Sequence, residues 1–146
     1  MRVEFYQPSE KRRICAWVAY RGQRTVVPGS HMAAGAGIPH DLAQYVIEAS
    51  TAYANGFWGL LNKGATFKST GRKRTKPGRA VIAAHRAELT DSEALAGRHL
   101  AEWHAGAATP VTHALDAALD QWRQLTLGDR LVFEWPSPHG HVARRA

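Results

Sequence analysis

The chain has 146 residues, is 45% apolar, and contains five Trp, four Tyr and four Phe. That much apolar surface can offset the entropy of ordering the backbone, which excludes global disorder. One cysteine, Cys15, excludes an intrachain disulfide, and no run approaches the roughly 20 apolar residues of a membrane span.

The first elements read as strands. "RVEFYQ" (2–7) and "RRICAWVAYRG" (12–22) are β-rich and separated by the turn residues "QPSEK". In the second, Ile14, Ala16, Val18 and Tyr20 alternate with Cys15, Trp17 and Ala19, so both faces are apolar and cover on both sides is expected. "RTVVP" (24–28) reads as a third strand, and "GSHMAAGAG" (29–37) as a small-residue loop.

From Pro39 the period becomes helical. Leu42, Val46, Ala49 and Tyr53 fall on one face, widened by Ala43, Ile47 and Ala54, with the Asn55-Gly56 pair as the stop. His40, Asp41, Gln44, Glu48 and Thr51 share the opposite arc. "FWGLLNKGA" (57–65) predicts a short apolar helix or turn that places Phe57, Trp58, Leu60 and Leu61 in the core. "TFKSTGRKRTKPG" (66–78) breaks every period and reads as a loop, with Gly71, Pro77 and Gly78 keeping it irregular.

A helix is expected over "RAVIAAHRAEL" (79–89). The capping box "TDSE" (90–93) then predicts a fresh helix start that runs to about His104. Thr109 caps a further helix with Pro110 in its first turn, and Val111, Leu115, Ala118, Leu119, Trp122 and Leu125 form its apolar stripe. "LGDRLVFEWP" (127–136) gives a turn and a closing strand. The last ten residues, 137–146, read as a flexible tail.

Strands at both ends with helices between them predict an α+β fold. A small antiparallel sheet forms from the N-terminal strands plus a C-terminal strand, packed with a central group of about four helices, in one domain over residues 1–136. With no signal peptide or span in the pattern, the expected setting is the cytoplasm.

The net charge of +7 is concentrated. Lys63, Lys68, Arg72, Lys73, Arg74, Lys76 and Arg79 lie within residues 63–79 without a single acid, while the remaining chain balances its Lys and Arg against its Asp and Glu. Such a stretch suits an anion. Its cations neutralise phosphates, and Ser69, Thr70 and Thr75 can add hydroxyl contacts. Nucleic acid or an acidic protein surface is the partner this charge suggests, and Phe67 is the one aromatic placed to stack on a base. No helix-turn-helix, RRM or zinc-finger pattern points to sequence-specific reading.

The second candidate is the arc of His40, Asp41, Gln44 and Glu48. His40-Asp41 followed by Gln44 approaches the H-E-x-x-H zinc signature, but an amide replaces the second His and is a poor zinc ligand. Glu48 lies roughly 12 Å along the axis from His40, too far to share one small ion, so further ligands would have to come from His31 or His85. Neither metal nor cofactor is expected. As an acid–base site the same arc would use His40, whose ordinary pKa is near neutral, oriented by Asp41 or Glu48. No GxSxG, P-loop, GxGxxG or CxxC occurs.

The stretches "IPHDLAQYVIEA", "NGFWGLLNKGA" and "WRQLTLGDRLVFEWP" resemble a group of small actinobacterial proteins, over residues 38–65 and 122–136. Relatives in that group often carry His at the position of Gln44. The resemblance implies a shared fold and attaches no activity. The leading expectation is therefore a small binding module with a basic loop at residues 63–79, and the alternative is a small enzyme built on His40. With helices on one side of the sheet, the cover expected on the other is the loop plus the tail, or a second copy of the chain, which is thus a further candidate partner.

Overall fold

The computed structural model describes residues 1–10, 14–22, 25–29, 32–33, 37–71 and 73–144. Its centre is β1 (Arg2–Tyr6), which pairs antiparallel with β2 (Ile14–Arg21) on one side and with β5 (Arg130–Glu134) on the other. The strand order is β3-β2-β1-β5-β6, with β3 at Thr25–Pro28 and β6 at His141–Ala143, while a two-residue β4 (Met32–Ala33) also pairs with β2. Strands from both chain ends thus share one antiparallel sheet, and the helices come from between them. This is the expected α+β arrangement.

The register decides which side chains are inside. Phe5 lies opposite Trp17 and Leu131, and Val3 lies opposite Ala19 and Phe133. Because strand side chains alternate, these six point to one face, and all six belong to the core. On the other face of β2 the expected cover is present in part, since Ala16 is fully buried. There Val18 and Tyr20 are half-buried, and the described residues place arginine–tyrosine stacks. The Arg2 guanidinium lies 4.5 Å from the Tyr20 ring centre, and that of Arg130 lies 3.7 Å from Tyr6. Long amphipathic side chains of this kind can cover part of a sheet face.

Against the inner face sits α1 (His40–Ser50), which buries Leu42, Tyr45, Val46, Ile47 and Ala49 and packs on α4 and α5. It ends before the Asn-Gly pair. Ala52 adopts φ 52°, and Tyr53, expected on the helical apolar face, instead donates its hydroxyl to Glu88 O at 2.7 Å. The short helix α2 (Phe57–Asn62) follows and sinks Trp58, Leu60 and Leu61 completely. Trp58 meets Trp17 at 4.7 Å, Phe57 at 5.0 Å and Tyr45 at 5.4 Å between ring centres, forming an aromatic core under the sheet.

Two helix boundaries differ from the sequence expectation. α3 spans Lys76–Ala84, so Pro77 and Gly78 lie in its first turn rather than in an irregular loop. Thr75 caps it by accepting the Gly78 amide at 3.0 Å, and proline is tolerated at a helix start because its missing N–H has no partner there. α4 runs unbroken over Arg86–His104, with the interruption at His85 and none at the predicted capping box. Thr90 donates to Arg86 O and Ser92 to Leu89 O, so both hydroxyls bond back within the helix and leave no cap.

α5 (Pro110–Arg123) begins as expected, with a reciprocal cap between Thr109 and Thr112. Its stripe buries Val111, Leu115, Ala118 and Trp122. The tail expected to be flexible is instead tied down through residue 144. β6 pairs with β5, Gln121 donates to Gly140 O at 2.8 Å, and Arg144 forms an ion pair with Asp129 at 2.6 Å. Without β6, β5 would be an open sheet edge.

Candidate functional site

The arc of α1 is not a single polar surface. At its start His40 is exposed and Asp41 half-buried, with side-chain exposures of 65% and 21%. Asp41 accepts the indole N–H of Trp17 at 3.1 Å and lies 3.4 Å from His40 Nδ1. That bond to Asp41 raises the His40 pKa above its ordinary value. Burial opposes the shift, while the charges of Asp41 and Glu93 add to it.

Glu48 is elsewhere in chemical terms. Its side chain is 0% exposed, and its carboxylate accepts the backbone amides of Trp58 at 3.0 Å and Phe57 at 3.2 Å, together with Gln44 Nε2 at 3.0 Å. It therefore caps the N-terminus of α2 from another helix, where backbone donors and the helix dipole favour an anion. Burial pushes its pKa up to about 7, against the lowering effect of those hydrogen bonds. The predicted quartet is thus split. His40 and Asp41 form one pair, and Gln44 joins Glu48 in a structural cap.

His40 and Asp41 open on a cleft of about 220 Å³ whose wall includes Gln44, Trp17, Phe57, Ser69 and, from α4, Glu93. Glu93 gave no sequence signal as a neighbour of His40, since only the packing of α4 against α1 brings them close. Among the described residues, no three His, Cys, Asp or Glu side chains come together as a metal-holding group. His85 pairs with Glu88 at 3.1 Å, and His31 lies outside the described residues.

The basic stretch divides in the same way. Lys63 bonds Asn55, which in turn bonds Glu88, so it belongs to a paired surface cluster. Arg72 lies outside the described residues. Lys68, Lys73, Arg74, Lys76 and Arg79 are all exposed, and none reaches an acidic oxygen within ion-pair distance among the described residues. Phe67, the aromatic of the stretch, is only partly exposed. It is half-buried against Phe57, with ring centres 4.5 Å apart.

Beside these cations lies a cavity of about 490 Å³, lined by Arg21, Val27, Leu61, Ala65, Thr66, Thr70, Lys73 and Thr75. Arg21 Nη1 donates to Leu61 O at 3.1 Å, which fixes its guanidinium at the wall. The Thr75 amide donates to Thr66 Oγ1 at 3.1 Å, holding the chain that enters α3 against the chain that leaves α2. Gly78 permits this closeness, because a Cβ there would lie 2.3 Å from Thr66 Oγ1. Neither Arg21 nor Thr66 stood out as a site residue in the sequence. One signal was present, since Arg21 continues the inward series Cys15, Trp17, Ala19 and so places a charge on the core side of a strand end.

Among the described residues no helix is long and apolar enough to cross a membrane. No family model matches the chain, and comparison with curated proteins and with solved structures yields no match, so the chemistry of these residues carries the functional argument.

Proposed function

We propose that this chain is a binding module whose basic segment takes a polyanion, nucleic acid first among them, through phosphate contacts without base reading. The observation that carries this is the group Lys68, Lys73, Arg74, Lys76 and Arg79, exposed and without acidic partners in the described residues. Cations left unpaired on one segment attract phosphates and release condensed counterions on binding. The aromatic of that segment, Phe67, is half-buried against Phe57, which favours backbone contacts over base stacking.

Fluorescence anisotropy with labelled single-stranded and duplex oligonucleotides, at several salt concentrations, tests this. Binding is expected at about micromolar to 100 micromolar Kd, with little sequence preference and a steep loss as salt rises. Changing Lys68, Arg74, Lys76 and Arg79 to Ser should weaken it at least about tenfold and flatten the salt slope. No binding at low ionic strength, or binding that the fourfold variant retains, overturns the reading.

A second reading is favoured by the cleft at His40: an acid–base site in which His40 transfers a proton and Asp41 orients it. Glu48 takes no part in that version, being occupied with α2. Ligand-observed NMR with small polar fragments addresses it. Fragments that bind the wild type and not His40→Ala support the cleft, and none binding overturns it.

A further inference from the structure

We infer that the cavity between the end of β2 and the segment entering α3 is a phosphomonoester pocket, built to hold a terminal phosphate and the aliphatic carbons next to it. This rests on the polyanion reading and adds to it a defined site with its own ligand chemistry.

The donors are of the right kind. Arg21 offers a planar guanidinium held in place by its bond to Leu61 O, and Lys73 offers an ammonium on a long stem from the segment that enters α3. Thr66 Oγ1 already accepts the Thr75 amide, and Thr75 Oγ1 already accepts the Gly78 amide. What each of these hydroxyls has left to give is its proton, so both act as donors toward a ligand. A phosphomonoester, close to doubly charged at neutral pH, has three terminal oxygens that accept such bonds. A backbone phosphodiester has two and half the charge.

The rest of the wall sets the organic part. The methyl groups of Thr66, Thr70 and Thr75 and the edges of the buried Val27 and Ala65 supply aliphatic contact, and among the described residues no aromatic ring lines the cavity. A nucleobase would find no aromatic ring to stack on among the described residues, whereas a sugar or other aliphatic carbon would meet methyl groups. At about 490 Å³ the cavity lies within the ordinary range of small-ligand sites. The pocket is contiguous with the exposed cations through Lys73, so a strand lying along Lys68, Arg74 and Lys76 could end in it.

Two sources share this chemistry, the phosphorylated end of a nucleic acid and a free sugar phosphate. They are separated by comparing labelled oligonucleotides that carry a phosphate at the 5′ end, at the 3′ end or at neither, and by titrating ribose 5-phosphate calorimetrically. An end-phosphorylated strand is expected to bind about tenfold more tightly than its hydroxyl counterpart, the effect of one additional charge-assisted contact. Arg21→Met should erase that difference while leaving the binding of the hydroxyl strand in place. Should Arg21→Met fail to fold by circular dichroism, Arg21→Lys, which keeps a charge at the wall and loses the planar fork, should shrink the difference while leaving the binding of the hydroxyl strand in place. Ribose 5-phosphate binding without any oligonucleotide binding supports the pocket with a free metabolite as ligand and overturns the polyanion reading. Equal binding of phosphorylated and hydroxyl strands, with no heat from ribose 5-phosphate, overturns the pocket and leaves the polyanion reading intact. No binding of any probe overturns both.

Discussion

Gly56 leaves the space that the Glu48 carboxylate occupies. A Cβ on Gly56 would lie 2.4 Å from Glu48 Oε1 and 2.5 Å from its Cδ, well inside contact distance. The glycine of "NGFWG" therefore serves α2 and not the end of α1: it lets a carboxylate from one helix reach the amides that begin the next.

Gly56→Ala should thus act through Glu48. The carboxylate must leave the Phe57 and Trp58 amides, and the expected loss is ~3 kcal/mol, as for buried charged hydrogen bonds. Urea denaturation measures it. A loss below about 1 kcal/mol, the ordinary scale for a glycine in a turn, would show that the cap does not hold α2 in place.

Glu48 also ties stability to pH. Its folded pKa of about 7 lies above the ordinary 4.5, so the folded state holds the proton more tightly than the unfolded chain. The stability this contributes is complete below pH 4.5 and is lost as pH rises through 7, a change of about 3 kcal/mol for the shift. Glu48→Gln should be less stable at acid pH by ~1–3 kcal/mol, because an amide nitrogen then faces a backbone donor. It should also flatten the pH dependence between 4.5 and 7. Thermal melts of both proteins across that window decide the matter. Parallel curves would remove Glu48 as the titrating group.

At the other end of α1, the His40 imidazole should titrate above its ordinary 6.5 in a proton NMR titration. Asp41→Asn removes the principal cause and should bring the midpoint down. It also replaces an acceptor of the Trp17 indole, so the Trp17 N–H resonance should shift in the same spectra.

The Cys15 thiol, buried on the inner face of β2, has its pKa pushed up by burial and further by Asp41. It should resist Ellman's reagent in the native protein and react fully in denaturant. Rapid native labelling would contradict its place in the core.

Truncation after Pro136 should lower stability without unfolding the chain. It removes β6, the Gly140 contact of Gln121, the Arg144–Asp129 pair and the carbonyl that Tyr45 bonds at 3.0 Å, yet leaves β5 on β1. Ending the chain at Gly128 instead removes Leu131 and Phe133 from the core, and loss of the cooperative transition is expected.

The strands and α5 were legible because their signals are local. Alternation places Val3, Phe5, Trp17 and Ala19 on one face, and Thr109-Pro110 marks a helix start whatever surrounds it. β6 was hidden because three residues within "SPHGHVARRA" carry no period, and only the neighbouring edge of β5 makes them a strand. Thr90 misled for the opposite reason: the capping signal was present, but its hydroxyl was satisfied inside a continuous helix. At the site, the polar arc of α1 was readable, whereas the division between His40 and Glu48 was not. That division depends on α2 bringing two backbone amides to Glu48, a contact between elements that periodicity does not encode.

The contacts of Phe67 also make the protein its own optical reporter. Phe67 leans on Phe57, and Phe57 lies edge-on to Trp17 at 6.0 Å and to Trp58 at 5.0 Å. Any rearrangement of the chain between Thr66 and Thr75 that shifts Phe67 changes the surroundings of both indoles. Occupancy of the basic segment should therefore register in the intrinsic emission of Trp17 and Trp58, without a dye on either protein or ligand.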